Sequence, residues 1–572
     1  MVTAPERTQE TPTEPAPARS RVPAWYPAIL LQAFSVALVF RLWFVRQSDF
    51  PLNDGGFFWT MVDDIRRAHF RLPVVTSYNG ASIPFAYPPL GLYVVAALEE
   101  LGLPRLELFR YLPTLVTLAS LGAFAVLAHA MLRSRQASAA ATVAFALLPM
   151  SFVWPIMGGG VTRAFGQAFS LLALVFAYRL YTAGGRWAAA GLALSSAATV
   201  SSHPEASWFL VYSVPLFWLV LSRRRETFLT SLLAAAGALL LLLPWSTTIV
   251  RRHGLVFLQP MHDSGWSAAS GIGRLLSLDI TREPVFPLLG MLAVLGFFRS
   301  LAQRQYLLPL WLLAIPALQA RAFDQRAVIP IALLAGIGLS EVMLPLAGRA
   351  IAALRPRNAL HSWAPASPSP EAAGARPLSW WALQLALLLV MAQSTVTTAR
   401  AYRPLLSGLT PEDRAAMQWV AAHTPSDARF LVVTGETWFG QDRVAEWFPA
   451  LTGRVNLAVV QGYEWLGGFS ERIDAATALQ LCATSGRACL EHWARARAVT
   501  FTYVYVVRQP LWIEGRRFER FGALVNDLFR SPGYRLVYSG PGAFIFRYEA
   551  ASSSEPAPTG AEAIPGARSP SG

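Results

Sequence analysis

Lysine is absent from the 572-residue sequence, and charged residues of any kind are scarce. Only 14% of the residues are charged, whereas a soluble protein carries about a quarter. Hydrophobic residues make up 54%, and apolar stretches of about 20 residues recur, each long enough to cross a hydrocarbon core of about 30 Å. Soluble domains do not grow large enough to bury so many apolar helices in one core. The sequence therefore predicts an integral membrane protein.

The basic charge is arginine alone, and its distribution argues against a nucleic-acid-binding protein. The formal net charge is +14, and much of it lies in short clusters between the apolar stretches. Such clusters are typical of the cytoplasmic loops of membrane proteins. We therefore expect membrane lipid, and no nucleic acid, as a partner.

Cysteine is nearly absent as well, since the chain has only Cys482 and Cys489. No cysteine–histidine spacing of a zinc site is present. If this part of the chain is exported, its compartment permits a disulfide, and the six intervening residues are compatible with a small loop. A disulfide and two unpaired thiols both stay open.

The apolar stretches predict about eleven transmembrane helices. Arginine clusters alternate between the stretches so that the N-terminus is cytoplasmic and, because the count is odd, the C-terminus lies outside. We expect the plasma (inner) membrane as the location. The predicted spans are residues 25–45, 108–132, 137–154, 164–181, 187–200, 207–221, 228–245, 285–298, 306–318, 327–346 and 378–399.

The predicted domains follow from shifts in composition. Residues 87–98 are apolar but too short to cross a bilayer, so they predict an interfacial helix within the first external loop. The divisions are a disordered cytoplasmic tail (1–23), a transmembrane domain (24–400) containing the first external loop (46–107) and a cytoplasmic linker (355–377), an α/β domain (401–550) and a disordered tail (551–572).

The texture of the sequence changes after the last span. Thr410 predicts a helix start, with Asp413 three residues later as a weaker form of the capping box. Short β-like runs then alternate with helical segments, at 430–433, 457–460, 502–507, 535–538 and 544–548. The predicted fold class is mainly α, a polytopic helical membrane protein with a small extracytoplasmic α/β domain at its C-terminal end.

Asp54 is the acidic residue of most interest in the first external loop, which reads Phe50-Pro-Leu-Asn53-Asp54-Gly55-Gly56. It follows the first span closely, so its carboxylate would lie at the membrane surface. There it could accept a proton from an acceptor hydroxyl or bind a divalent cation. Alternatively, Asn53 or Asp54 caps the helix that begins near Phe57. The residues leave both interpretations open.

Two motifs in this loop resemble a known family. Asn53-Asp54-Gly55-Gly56, followed by Tyr78-Asn79-Gly80, resembles the first external loop of GT-C membrane glycosyltransferases, especially the catalytic subunit of oligosaccharyltransferases, in which a similar Asn-Asp-Gly supplies the essential aspartate. Tyr87-Pro88-Pro89-Leu90 is similar to the His/Lys-Pro-Pro-Leu signature of protein mannosyltransferases and lipid A aminoarabinose transferases. The likeness in spans, loop lengths and terminal domain extends over most of the chain.

The resemblance implies roles for particular residues. Asp54 would be the general base, or an acceptor-side metal ligand, in attack on the anomeric carbon of a lipid-linked sugar. Apart from the resemblance, His203 and Glu205 stand at an outer helix end, where ionisable residues at membrane depth indicate function, with His203 as a donor to phosphate and Glu205 as a second acid. The leaving polyprenyl phosphate develops negative charge that must be compensated. The residues expected to contact the substrate are Tyr87, Arg163, His203 and Arg326. Without the resemblance, each arginine can equally be a snorkelling side chain at the membrane interface. His203-Pro204-Glu205 can equally be a helix start at which Glu205 interacts favourably with the helix dipole.

The chain also departs from the family. Oligosaccharyltransferases carry an acidic pair in the second external loop, where this chain has Gly158-Gly-Gly-Val-Thr-Arg163. The cofactor is therefore left unknown, with a divalent cation as an open possibility. At the place of their Trp-Trp-Asp-Tyr-Gly motif stands Gly435-Glu-Thr-Trp438-Phe439-Gly440-Gln-Asp442, so transfer to asparagine is not expected.

The predicted function is transfer of a sugar from a polyprenyl-phosphate-linked donor to an extracytoplasmic glycan, lipid or protein acceptor. The alternative is a non-catalytic GT-C-like membrane protein that binds lipid-linked sugar or polysaccharide, and the missing second-loop acids favour it. A transporter would show polar residues near the midplane and internal repeats. We find few of the former and no clear repeat.

Overall fold

A computed structural model provides the structure of the chain. The predicted linker at 355–377, nearly all of the predicted N-terminal tail and the predicted C-terminal tail lie outside the described residues. The residues described are 23–256, 267–277, 280–354, 378–508, 510–513 and 516–549. Within them the chain forms two compact units. Unit one is the described part of Met1–Leu52, Tyr87–Arg252 and Gly265–Ser407, and unit two is that of Asn53–Ala86, His253–Ser264 and Gly408–Gly572.

Unit one is helical. A short helix stands at the predicted interfacial segment, and its 11 residues span about 16 Å, which is half of a hydrocarbon core. The helices are Trp25–Arg46, Leu90–Glu100, Arg105–Met131, Arg135–Leu147, Gly160–Thr182, Arg186–Val200, Pro204–Leu221, Arg225–His253, Ala268–Leu276, Leu288–Ala302, Leu307–Leu318, Phe323–Ile337, Leu344–Leu354 and Leu378–Tyr402.

Six helices within the described ranges are long and apolar enough to cross a membrane. The 29-residue helix Arg225–His253 is the clearest example, because only 17% of its most apolar window is buried inside the protein. Leu233 and Leu240 on this helix are 72% and 67% exposed. An apolar surface of this extent suits contact with lipid. The six are Trp25–Arg46, Arg105–Met131, Gly160–Thr182, Pro204–Leu221, Arg225–His253 and Phe323–Ala350.

The count of about eleven spans is not confirmed, because several predicted spans are shorter helices. The stretch predicted at 137–154 is helical only over Arg135–Leu147. Leu148 precedes Pro149 and is extended, as expected for a residue whose α conformation clashes with a following proline ring. The other short helices at predicted spans have 15, 15 and 12 residues: Arg186–Val200, Leu288–Ala302 and Leu307–Leu318.

Glycines set close helix contacts in unit one. A Cβ on Gly296 would lie 1.9 Å from the carbonyl oxygen of Leu334, and one on Gly338 would lie 1.9 Å from that of Leu292. Small residues of this kind let helix backbones touch where hydrophobic driving force is weak. The helix Leu288–Ala302 is therefore fixed against the Phe323–Ile337 helix and its π-helical continuation through Met343.

Unit two is an α/β unit. Its described strands form a five-stranded sheet of order β2-β1-β3-β7-β6, in which β1 pairs parallel with β2 and β3 while β7 pairs antiparallel with β3 and β6, and a separate β4–β5 hairpin. The strands are β1 Arg429–Val433, β2 Val455–Asn456, β3 Tyr503–Val507, β4 Pro510–Ile513, β5 Arg516–Glu519, β6 Tyr534–Ser539 and β7 Ala543–Tyr548. The helices are Gly56–Arg67, Pro411–His423, Arg443–Thr452, Phe469–Leu481, Arg487–Ala496 and Gly522–Arg530.

Most of the local structure predicted in this unit is confirmed. The capping box is confirmed, since the Thr410 side chain accepts from the Asp413 backbone and the Asp413 carboxylate accepts from the Thr410 backbone. The predicted strand at 457–460 was misplaced, because the residues that pair with β1 are Val455 and Asn456. Leu457 donates its amide to the Phe430 carbonyl at 3.0 Å, and the buried residues 458–460 follow the end of the strand. Cys482 and Cys489 form a disulfide across a Cα–Cα distance of 5.4 Å, which decides between the two alternatives left by the sequence.

Candidate functional site

The turn that carries Asp54 belongs to unit two. Asn53 has a φ of 51°, and its side-chain Nδ2 donates to the carbonyl of Gly440 at 2.8 Å. The indole Nε1 of Trp447 donates to the Asn53 carbonyl at 2.9 Å. These bonds join residues 387 and 394 positions apart in the sequence. They hold the backbone beside Asp54, whose side chain is half-buried.

Two glycines complete the turn. The Gly55 amide donates to Oε1 of Glu446 at 2.8 Å, and its φ of 130° is open only to glycine. A Cβ on Gly56 would lie 2.8 Å from the Glu446 carbonyl oxygen, so the helix that Gly56 begins sits directly on the helix Arg443–Thr452. Gly55 is the N-cap residue, and neither Asn53 nor Asp54 occupies that position. The interpretation of either residue as the N-cap was therefore wrong.

The Tyr78-Asn79-Gly80 motif is anchored to the same unit. The Tyr78 hydroxyl donates to the Glu446 carbonyl at 2.7 Å. Burial raises the pKa of Tyr78 well above its usual range, with Glu446 adding to the effect, so the phenol stays a neutral donor. Asn79 donates to the Asn456 carbonyl at 3.1 Å and accepts from its amide at 2.7 Å, like a strand partner. The motif is thus explained by its contacts within unit two.

In unit one, Arg326 is the most unusual of the predicted substrate-binding residues. It is 2% exposed, and its Nε has no hydrogen-bond partner among the described residues. Its guanidinium lies 5.8 Å from the centre of the Phe209 ring. Glu205 and Tyr87 are near enough to act on it electrostatically, but no ion pair to it forms among the described residues. A buried cation of this kind is energetically costly and needs an anion.

His203, Glu205 and Tyr87 surround this arginine. His203 is 5% exposed, lies ahead of the helix Pro204–Leu221 as its N-cap residue, and packs edge-on against the Tyr87 ring at 6.4 Å. The Tyr87 hydroxyl is 3.3 Å from that of Thr162. Unit one therefore brings His203, Tyr87 and Arg326 into one neighbourhood. The signals that suggested them were separate in the sequence.

Glu205 and Arg163, the remaining predicted site residues, already have protein partners. Arg321 lies 3.3 Å from a carboxylate oxygen of Glu205, forming an ion pair. Arg163 donates from Nε to the Trp154 carbonyl at 3.2 Å and lies 5.7 Å from the centre of that ring. Neither pattern assigns a substrate role by itself, and the roles of Arg163 and Glu205 stay predictions.

Sequence reasoning missed Arg41. It lies in the helix Trp25–Arg46, is 0% exposed, and its three guanidinium nitrogens have no partner among the described residues. It lies 4.7 Å from the centre of the Phe152 ring, in a cluster that includes Phe40 and Phe44. The only signal in the sequence was one arginine inside an apolar stretch, which snorkelling explained equally well.

The described residues do not match the metal site of oligosaccharyltransferases. No group of three or more His, Cys, Asp or Glu side chains within the described ranges is arranged to hold a metal ion. We therefore derive no reaction step through a metal.

Comparisons with known proteins identify the fold. No protein-family model matches the sequence, and no curated protein is similar to it. Several solved structures share its fold, and three of them are described here. The archaeal oligosaccharyltransferase AglB from Archaeoglobus fulgidus has a TM-score of 0.52 at 13% identity, over 85% of this chain and 69% of that one. ArnT from Cupriavidus metallidurans, bound to undecaprenyl phosphate, has 0.51 at 14% identity, over 92% and 98%.

The arabinofuranosyltransferase AftD from mycobacteria has a TM-score of 0.52 at 18% identity, over 91% of this chain and 41% of that one. All three are GT-C glycosyltransferases, so the resemblance drawn from the loop motifs is confirmed at the level of the fold. The six helices that are long and apolar enough to cross a membrane, in a chain with this fold, indicate an integral membrane protein.

Proposed function

We propose that this chain is a membrane glycosyltransferase that transfers a sugar from a polyprenyl-phosphate carrier to an extracytoplasmic acceptor. The GT-C fold is the premise. The observation that carries the proposal is Arg326, a guanidinium that is 2% exposed and has no paired acid among the described residues. A phosphate group supplies the missing anion, and the planar fork of donors suits it.

The proposal assigns proton acceptance to Asp54 and stabilisation of the leaving phosphate to Arg326 and His203. Asp54 accepts the proton of the acceptor hydroxyl as its oxygen bonds to the anomeric carbon. The bond from that carbon to the phosphate oxygen breaks, and the phosphate leaves with the electron pair. Arg326 and His203 stabilise the charge that develops there. The firm mounting of the Asp54 turn by Asn53 and Gly55 supports this role, because a general base must be held in position.

The other predicted site residues receive secondary roles. Tyr87 shares the neighbourhood of Arg326 and positions the donor headgroup. Arg163, held at Trp154, contacts the donor at the membrane surface. Glu205 is the second acid, and its ion pair with Arg321 tunes the charge near the phosphate. A divalent cation is not part of this proposal.

We infer the membrane topology from the arginine clusters. The chain crosses the membrane about eleven times, with its N-terminus in the cytoplasm and residues 401–550 outside the plasma membrane. The helices of 12 to 15 residues then cross with flanking loop residues completing each span. Reporter fusions after each predicted loop test this arrangement.

Transfer from a panel of polyprenyl-phosphate sugars, measured with purified protein in lipid nanodiscs, tests the function. We expect Asp54→Asn to lose transfer by at least about a hundredfold, the contribution typical of a general base, with folding and lipid binding intact. Asp63→Asn is the matched control, because Asp63 lies in the same segment and pairs with Arg67. Full activity in Asp54→Asn would remove the base assignment.

The non-catalytic alternative predicts a different outcome. A binding protein would retain polyprenyl-phosphate sugar without turnover and would be indifferent to Asp54→Asn. Binding without transfer across the whole panel of donors and acceptors would favour that alternative over the enzyme.

A further inference from the structure

The two peptide groups on either side of Asp54 are held by two consecutive residues of one helix. The Asn53 carbonyl, which precedes Asp54, accepts a hydrogen bond from Nε1 of Trp447 at 2.9 Å. The Gly55 N–H, which follows Asp54, donates to Oε1 of Glu446 at 2.8 Å. Because a peptide group is planar, holding both groups fixes the φ and ψ of Asp54. The direction in which the Asp54 side chain leaves the backbone is therefore set by that helix.

The turn needs this support to keep its shape. Asn53 has a φ of 51° and Gly55 a φ of 130°, so two sparsely populated conformations flank Asp54. Such conformations cost free energy and persist only where the surrounding structure holds them. The contact behind the turn is also close, because a Cβ on Gly56 would lie 2.8 Å from the carbonyl oxygen of Glu446 and 3.0 Å from Cα of Trp447. The helix therefore holds the turn by contact as well as by hydrogen bonds.

Glu446 and Trp447 are themselves fixed in the interior of unit two. They lie in the helix Arg443–Thr452 and are 3% and 0% exposed. The Trp59 ring packs edge-on against the Trp447 ring, with 5.8 Å between the ring centres. The Tyr78 hydroxyl donates to the Glu446 carbonyl at 2.7 Å. Two buried side chains with packing and hydrogen bonds of this kind have little freedom to move, so the bonds that they make to the turn are rigid.

The residue type at position 446 favours positioning over simple attachment of the loop. A carboxyl group such as that of Glu446 loses more hydration on burial than an apolar side chain does. An apolar residue would therefore attach the loop to the domain at a lower cost. A polar acceptor does what an apolar residue cannot, because a hydrogen bond holds the Gly55 N–H at a defined distance and direction.

We propose that Glu446 and Trp447 are positioning residues that aim the Asp54 carboxylate at the acceptor hydroxyl, an assignment that rests on the proposed glycosyl transfer. We call this pair the clamp. Neither clamp residue exchanges a proton in the reaction, and both act through the backbone of the turn. A catalytic group displaced by about 1 Å can lose about a hundredfold in rate. The clamp therefore makes turnover, and not only stability, depend on unit two.

Steady-state transfer kinetics of the full chain in lipid nanodiscs test the clamp. Glu446→Leu removes the acceptor for the Gly55 N–H, so we expect kcat to fall about a hundredfold. The KM values for donor and acceptor should stay within about twofold, since the loss lies in the transition state. Glu446→Gln keeps an oxygen acceptor and should keep kcat within about tenfold of the wild type. Trp447→Phe removes the indole donor but keeps an aromatic ring, and should lower kcat about tenfold.

Thr410→Ala is the matched control for stability. It removes the capping box of another helix in unit two, Pro411–His423. We expect it to lower the unfolding temperature and to leave kcat per folded molecule unchanged. Hydrogen exchange of the peptide that contains Gly55 adds a readout that is independent of activity. Glu446→Leu should speed this exchange and Thr410→Ala should not.

The clamp assignment is overturned if Glu446→Leu and Trp447→Phe keep the wild-type kcat, if they raise KM instead, or if Thr410→Ala lowers kcat equally. Should Glu446→Leu fail to fold, Trp447→Phe decides between these outcomes. The proposed function fails in a different way, because the wild type would then transfer no sugar from any donor, and the catalytic role of the clamp would fall with it. An active wild type, an inactive Asp54→Asn and fully active clamp variants would refute the clamp alone.

Discussion

Replacing Arg326 with methionine should make the protein more stable and insensitive to polyprenyl phosphate at the same time. The guanidinium is 2% exposed and lacks a paired acid among the described residues, so folding strips it of water without full compensation. Methionine has a similar length and packs beside the Phe209 ring without that cost. The same change removes the charge that we assign to phosphate binding.

The magnitudes separate the two effects. Replacing a buried ion pair by hydrophobic side chains of similar volume is often neutral or stabilising by about 1–4 kcal/mol. A gain of this order at Arg326 raises the unfolding temperature of a large unit by a few degrees. A ligand present at 100 times its Kd stabilises the wild type by about 2.7 kcal/mol. Without lipid, Arg326→Met should therefore unfold above the wild type. With saturating lipid, the difference should shrink or reverse.

Tryptophan fluorescence during thermal unfolding in nanodiscs, with and without undecaprenyl phosphate, measures both quantities. Arg41→Met is the matched control, because Arg41 is 0% exposed and equally without hydrogen-bond partners among the described residues. We expect it to raise the unfolding temperature and to keep the full lipid response. The reasoning fails if Arg326→Met retains that response, or if it unfolds below the wild type while Arg41→Met unfolds above it.

Two further predictions concern packing and pH. Gly338→Ala should destabilise by about 1–3 kcal/mol or more, because the new methyl meets the Leu292 carbonyl oxygen at 1.9 Å. Burial raises the pKa of Asp442 from 3.8 to about 7, so as pH rises between these values the unfolded state loses its proton first and unit two loses stability. Hydrogen exchange measures the free energy of unfolding of unit two. The advantage of Asp442→Asn over the wild type in this free energy should grow from about pH 4 and level off above about pH 7, at about 4 kcal/mol at most.

Each of these has its own control. Gly348→Ala, where a Cβ meets nothing within 4 Å, should be neutral or slightly stabilising by helix propensity. Equal destabilisation by both glycine substitutions would refute close backbone contact at Gly338. An Asp442→Asn variant whose stability parallels that of the wild type over the whole pH range would show that this carboxyl ionises normally.

The sequence was a good guide to local structure in unit two. Thr410 and Asp413 predicted the capping box because a side chain and a backbone three residues apart decide it. Strands such as Tyr503–Val507 were readable because apolar, β-branched and aromatic residues are concentrated in them. The strand at 457–460 was misplaced because pairing depends on the neighbouring strand, and β1 pairs only with Val455 and Asn456.

The membrane character of the chain was likewise determined by composition, since every backbone group in lipid must be satisfied within an apolar helix. The number of spans was not, because a helix can end inside a stretch that is apolar throughout. Leu148 before Pro149 is one such end.

At the candidate site, the sequence indicated which residues matter, and the tertiary structure decided how they are arranged. The sequence pointed to Asp54, Tyr87 and Arg326 through a family resemblance, and to His203 through its place at an outer helix end. Only the tertiary structure decided that Asn53 bonds to Gly440, or that Arg326 is buried without an acid while Arg321 has one. Hydrophobicity and propensity act between near neighbours and are written into short stretches of sequence. Which charges remain unpaired depends on contacts between residues hundreds of positions apart, and those exist only once the chain has packed.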